Sequence, residues 1–305
     1  MKAIVTGGAG FIGSNLALEL EAQGHEVVVI DNLFSGNMAN LDGFSGEFVN
    51  ADIREINWNE IAGGADAIFH NAAITDTTIP DKKLMMDVNA HSFEKLLEFA
   101  VKKNIKVIYA SSAATYGSGK MPMEESQKPA PLIDYGVSKV EMDNIAKKYI
   151  AEYADAEIIG LRYFNVYGPR EKFKGKSSSL TYQWIIKMQG PETKTIKMFK
   201  FGEHARDHIY VKDIVSANLK ALEFEGNGIF NAGTGIGTSY NRILEILNEK
   251  MDKNCRPEYI DCYLKTYQGF TQADTTKAEN ELKFMAQWNI ERGIGDYCEF
   301  MRKEL

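Results

Sequence analysis

Cysteine is nearly missing from this chain: 305 residues carry only Cys255, Cys262 and Cys298. An odd number, late in the sequence and without metal-ligand spacing, predicts neither a disulfide framework nor a metal site. It reads as reduced, structural thiols in a cytoplasmic protein. Long hydrophobic runs are missing too. No apolar stretch approaches the ~18–20 residues of a membrane span. The opening KAIVTGGAGFIG breaks at glycines after four residues, so no signal peptide is expected. There is no internal repeat and no low-complexity tract. Nor is there a basic excess: Lys plus Arg is 35 against 42 for Asp plus Glu, a formal charge of −7. That balance argues against nucleic acid or an anionic membrane as a partner. What remains, 44% hydrophobic and 25% charged residues, suits a globular protein of one large or two smaller domains.

Short apolar runs alternate with helical patterns through the first half. KAIVTG, HEVVVID, GEFVNAD, ADAIFHNAA, IKVIYASS and AEIIGLRYFN read as six buried strands. Helices are expected over about 12–23, 81–104 and 135–153. Continuous apolar strands separated by helices predict an α/β fold, a Rossmann-type doubly wound parallel sheet. After Asn165 the pattern becomes shorter and more mixed. The expected division is therefore a dinucleotide-binding domain over 1–168 and a smaller mixed α/β substrate-binding domain over 169–305, with some later segments docking back on the sheet.

TGGAGFIG sets Gly7, Gly10 and Gly13 between the first strand and the first helix. Glycines there permit a sharp turn and close backbone approach, and the helix N-terminus then offers free N–H groups to a diphosphate. Asp31 closes the second strand, 18 residues after Gly13, where a carboxylate can accept bonds from both ribose hydroxyls. No Arg or Lys occurs in DNLFSGNMAN to meet a 2′-phosphate, which favours NAD over NADP. Asp52 and Ile53, after the third strand, are candidates for the adenine end, or simply turn residues.

DYGVSK puts Tyr135 and Lys139 one helical turn apart on one face. A phenol with a pKa of about 10 needs roughly three units of depression, about 4 kcal/mol, to act as a base near neutrality. A lysine ammonium one turn away and a positively charged nicotinamide both supply it. A surface Tyr–Lys pair is the alternative, weakened by the hydroxyls of Ser111 and Ser112 in YASSAATYGSG and by the glycine loop.

These motifs together identify the chain as similar to the extended short-chain dehydrogenase/reductases, over nearly its whole length. YASSAATYG, RYFNVYGPREKFKG and YQGFTQAD resemble most closely the ADP-glyceromanno-heptose 6-epimerase branch. That resemblance implies a sugar-nucleotide isomerase acting on ADP-heptose in lipopolysaccharide heptose precursor synthesis, in a cytoplasmic homo-oligomer, with NADP as the cofactor of the branch. It gives catalytic roles to Ser112, Tyr135, Lys139 and Lys174, the last as a second acid/base on the opposite face of the sugar. It implies cofactor contacts at Phe11, Ile12, Asn32, Asn71, Ala72, Ala73, Asn89 and Val166. Substrate contacts are implied at Asn165, Lys176, Gln183, Phe199, Arg206 and Tyr267. Ser111 reads as a serine satisfying the strand-end backbone. Five basic residues between Arg162 and Lys176 against the one acid Glu171 mark a candidate anion site.

The chain departs from the branch in places. Asn37 or Met38 stands where a lysine for the 2′-phosphate is usual, Lys176 replaces a small hydroxyl residue, Gln183 replaces a histidine, and FKFG replaces an acidic run. UDP-hexose 4-epimerisation, a related sugar-nucleotide oxidoreduction, and a non-catalytic cofactor-binding regulator remain as other readings. Related dehydratases carry an Asp–Glu pair where this chain has Ala113 and Ala114, which cannot transfer protons. Loss of water is therefore disfavoured on chemical grounds.

Overall fold

A computed structural model describes residues 1–76, 79, 81–263 and 267–303. In chain order the strands are β1 (Lys2–Thr6), β2 (Glu26–Asp31), β3 (Glu47–Asn50), β4 (Ala67–His70), β5 (Lys106–Ser112), β6 (Ile158–Tyr163), β7 (Asn165–Tyr167), β8 (Thr195–Phe199), β9 (Ala205–Tyr210), β10 (Gly228–Ala232), β11 (Gly237–Ser239) and β12 (Arg256–Ile260). The helices are α1 (Phe11–Ala22), α2 (Trp58–Ile61), α3 (Lys82–Met86), α4 (Ser92–Lys103), α5 (Asp134–Glu152), α6 (Leu180–Gln189), α7 (Val211–Glu223), α8 (Tyr240–Met251) and α9 (Ile290–Lys303). The single helix expected over 81–104 is α3 and α4 joined by a π-helical turn at Asp87–His91.

Seven strands form one parallel sheet in the order β10-β6-β5-β4-β1-β2-β3. β1 pairs on both sides, Ile4 opposite Val28 and Ile68, so the strand order reverses there. In such sheets ligands bind beyond the carboxyl ends of the strands at that reversal. The apolar runs are continuous because both faces are covered. Leu16, Ala17 and Leu20 of α1, with Ile214 and Ala217 of α7, pack one face. Phe93, Leu96 and Leu97 of α4, with Met142 and Ile145 of α5, pack the other. Burying each large apolar side chain contributes about 1.5–3 kcal/mol.

A third core, including Trp184, Ile196, Tyr210, Ile243 and Ile294, gathers the later elements. They surround a three-stranded sheet (β11-β9-β7) and a two-stranded one (β12-β8). The chain does not stay on that side after residue 168. α7 covers the main sheet beside α1, and β10 adds to its edge with Asn231 opposite Arg162. Among the described residues no helix is long and apolar enough to cross a membrane.

Candidate functional site

A cleft of about 570 Å³ opens beyond the carboxyl ends of β1, β2, β4 and β5. Its floor is the glycine turn. Gly7 has φ +66°, and a Cβ on Gly13 would sit 2.3 Å from the Gly7 carbonyl oxygen, so the turn and α1 close on each other only without side chains. α1 begins with Gly10 at its N-cap, no side chain capping it and no acid in its first turn. That leaves a positive helix end facing the cleft, matched to a diphosphate.

At one end of the cleft stand Asp31, Asn32, Asp52 and Ile53. The Asp31 carboxylate accepts from the N–H groups of Ala9 (3.0 Å) and Leu33 (2.8 Å). Burial raises its pKa and those bonds pull it back. Arg54 also lines this end. Its Nε and Nη2 donate to the two Asp52 oxygens at 3.0 and 2.7 Å, and Asn32 donates to the same carboxylate at 3.2 Å. The guanidinium holds the Asp52 carboxyl down at about 2. Reading only the residues just after Asp31 misses this cation. The signal was its position directly after Asp52 and Ile53.

At the other end β5 delivers Ser111 and Ser112, and α5 delivers Tyr135 and Lys139. Burial pushes the Tyr135 phenol above its usual pKa, and its interaction with the Ser112 hydroxyl pulls it down. Lys139 is 1% exposed, donates to the Ala110 carbonyl at 2.6 Å, and lies 5.8 Å from the Tyr135 ring centre. Burial lowers its ammonium to about 8, against the pull of Asp143. The Ser112 hydroxyl accepts from the Ala114 N–H at 3.1 Å and caps the turn that holds Ala113 and Ala114. Ser111 lines the cleft with no partner for its hydroxyl among the described residues, so it does not satisfy the strand-end backbone.

Asn165, Val166, Lys174 and Arg206 also line the cleft, with the Lys174 ammonium 5.4 Å from the centre of the Phe11 ring. Burial lowers the Lys174 ammonium, and the buried Glu171 carboxylate opposes that. Glu171 itself is held by the N–H groups of Gly168 and Ser179 and by the Ser179 hydroxyl. Arg206 donates from Nε to the Tyr240 hydroxyl at 3.2 Å and stacks on Tyr267 at 5.0 Å. Asp207 does not hold Arg206: its carboxylate accepts from Thr234, Gly235 and Ala273. Asp213 instead caps Gln287 and Trp288.

The cleft brings together Gly7, Gly10, Phe11, Ile12, Gly13, Asp31, Asn32, Asp52, Ile53, Asn71, Ala72, Ala73, Ser112, Tyr135, Lys139, Asn165, Val166, Lys174 and Arg206. It does not bring in five others. Asn89 is fully buried behind it, bonding both backbone groups of Ile74 and the Ser138 hydroxyl. Lys176 and Gln183 are exposed, and Gln183 donates to the Ser178 carbonyl. Phe199 packs edge-on against Tyr267, and Tyr267 in turn bonds Tyr240 and lies under the Arg206 guanidinium. The basic loop contracts to Lys174. Arg162 turns inward to Asp143, and Arg170 bonds Asn40 and Asn15. Residues 177–180, His208 and Tyr240 also line the cleft. They carried no motif, and only the fold brings them there. Among the described residues no His/Cys/Asp/Glu cluster could hold a metal.

His70 lies near Lys139, 2.9 Å from the Thr6 hydroxyl and stacked on Phe93. Burial and the Lys139 charge hold it neutral, lowering its pKa from 6.5 to about 3. Above pH 6.5 folded and unfolded chains are both neutral here. Below it the unfolded imidazole takes a proton that the folded one refuses. Its contribution to stability therefore falls by about 1.4 kcal/mol per pH unit from 6.5 towards 3. Ring 15N spectra should show His70 neutral at pH 5; a protonated ring there would contradict this.

The profile of the NAD dependent epimerase/dehydratase family matches residues 3–233. An ADP-L-glycero-D-manno-heptose-6-epimerase from Helicobacter pylori is 36% identical, with a TM-score of 0.90 over 99% of this chain and 96% of that one. A UDP-glucose 4-epimerase from Thermotoga maritima, solved with UDP-glucose, is 30% identical, with a TM-score of 0.91 over 100% and 99%. A UDP-glucuronic acid 4-epimerase from Bacillus cereus, solved with UDP-glucuronic acid and NAD, is 25% identical, with a TM-score of 0.89 over 100% of both chains.

Proposed function

We propose, for a chain that belongs to the NAD dependent epimerase/dehydratase family, that it inverts one alcohol-bearing carbon of a nucleotide-diphosphate sugar, with ADP-glycero-manno-heptose as the substrate and C6 as the carbon inverted. What supports this reading is one cleft lined by Ser112, Tyr135, Lys139 and Lys174, with Ala113 and Ala114 on the turn after Ser112, where the related dehydratases carry proton-shuttling carboxylates.

The residues fit a dinucleotide: an uncapped helix end at Gly10 for the diphosphate, a two-oxygen acceptor at Asp31 for the ribose, and Lys139 beside Tyr135. When bound, its nicotinamide supplies a place for hydride to rest between leaving one face of the carbon and returning to the other. NAD is the better match. A 2′-phosphate would face the Asp31 carboxylate, and Arg54, the cation at that end, is already engaged by Asp52.

Tyr135 takes the alcohol proton as hydride departs and passes it to solvent before the next turnover, when Lys174 regains the proton it has given. Lys139 stabilises the phenolate, and Ser112 orients the reacting oxygen. After the sugar carbonyl turns over, its oxygen lies towards Lys174, whose lowered affinity for its proton suits it to donate. Arg206, backed by Tyr240 and Tyr267, is assigned to the diphosphate, because a guanidinium fork matches phosphate oxygens. The part of the chain after residue 168, apart from α7 and β10, is assigned to substrate binding.

Purified protein should convert ADP-glycero-manno-heptose with no cofactor added, and denaturing it should release NAD, identified by mass. Conversion of UDP-galactose alone would replace the heptose assignment by a 4-epimerase one, the reading that the Thermotoga relative favours.

A further inference from the structure

His208 sits on β9, level with Asn165 on β7, and both line the cleft. It is 5% exposed, yet neither ring nitrogen has a hydrogen-bond partner among the described residues. Tyr167 meets the ring only edge-on, at 6.4 Å. A buried imidazole with two orphaned nitrogens is unfavourable unless something absent from the protein alone completes it. In RDHIYV the sequence singles out Arg206, and nothing there marks this ring.

We infer that His208 reads a hydroxyl of the sugar, as a specificity-determining contact between the hydride-transfer centre and the diphosphate-binding Arg206. The placement follows the strands. Asn165, opposite it, leads back towards the catalytic end, and Arg206 lies two residues away along β9. The chemistry follows the charge. Burial and the neighbouring Arg206 hold the imidazole neutral, lowering its pKa to about 3. A neutral ring offers one N–H donor and one lone pair. A sugar hydroxyl answers both, since it can accept from the first or donate to the second. Phosphate oxygens are acceptors only and would set a negative charge against that lone pair. Arg206 already supplies the cation for phosphate. This assignment rests on the nucleotide-sugar reading of the site.

The test uses NAD-loaded protein, ring 15N spectra of its histidines, and four probes: ADP-glycero-manno-heptose, UDP-glucose, ADP and UDP. The His208 signals should move with the nucleotide sugar that is turned over and stay in place with the matching nucleoside diphosphate. His208→Phe keeps a flat aromatic ring, one atom larger, and removes both orphaned nitrogens, so it should melt close to the parent. Its KM for the sugar nucleotide should rise about tenfold with kcat changed far less, and His208→Gln, which keeps a donor and an acceptor, should recover part of that loss. Equal shifts with bare ADP or UDP, or a KM within about twofold of the parent, would overturn the inference while leaving the epimerase intact. Absence of binding and turnover with both sugar nucleotides would overturn the epimerase reading, and this one with it.

Discussion

Tyr135→Phe is expected to lower kcat by about a thousandfold, in the middle of the range for loss of a general acid–base group. The ring stays, so its contacts in the cleft and its place on α5 beside Lys139 stay with it. The hydroxyl goes, and with it its interaction with the Ser112 hydroxyl. Burial alone pushes that phenol above its usual pKa. It becomes a useful base only with help: the Ser112 hydroxyl, the Lys139 charge, and the cation of the oxidised nicotinamide. Cofactor content and melting temperature should match the parent. A loss below about tenfold would move the proton transfer elsewhere, with Lys174 the first alternative. Lys174→Met, compared in the same assay, distinguishes a second donor from a substitute one.

The largest effect on stability is expected at Asp143, which does not line the cleft. Asp143 and Arg162 form an ion pair at 2.8 Å with side-chain exposures of 2% and 1%. The Tyr109 hydroxyl donates to the other Asp143 oxygen at 2.9 Å, and the Arg162 guanidinium lies 4.7 Å from the Tyr116 ring centre. Asp143→Ala strands a buried guanidinium and should cost about 3–5 kcal/mol, most of it the penalty of the unpaired charge. The double variant Asp143→Leu with Arg162→Met removes both charges and should be less destabilised than the single one in chemical denaturation. If the double variant lost as much as the sum of both singles, the unpaired charge would not be the source. Asp143 also raises the proton affinity of Lys139, so any folded variant should titrate Lys139 lower still.

The parallel sheet was legible because strands covered on both faces must be continuously apolar, and β1, β2, β4, β5 and β6 are. The end of the sheet was not. GIFNA looks like any short strand, and only its pairing with β6, across more than sixty intervening residues, places it. Tyr135 and Lys139 were readable because one helical turn sets them on one face. His208 and Tyr240 were not, since each reaches the cleft from an element, β9 or α8, whose place is set by the fold of the later chain. Arg162 shows the opposite failure. Sequence proximity to Lys174 made it look like part of a basic loop, whereas the last residues of β6 turn it into the core against α5. Charge counted along a chain overlooks which face of a strand a side chain takes.

The measurement closest to the central claim follows the hydrogen on the inverted carbon. ADP-glycero-manno-heptose carrying deuterium at C6 is incubated with the protein in ordinary water, with no cofactor added, and the product is examined by NMR and mass spectrometry. Transient transfer within one cleft predicts an inverted C6 that keeps its deuterium and a product of unchanged mass. Replacement of that deuterium by solvent hydrogen, or a product lighter by one water, would contradict it.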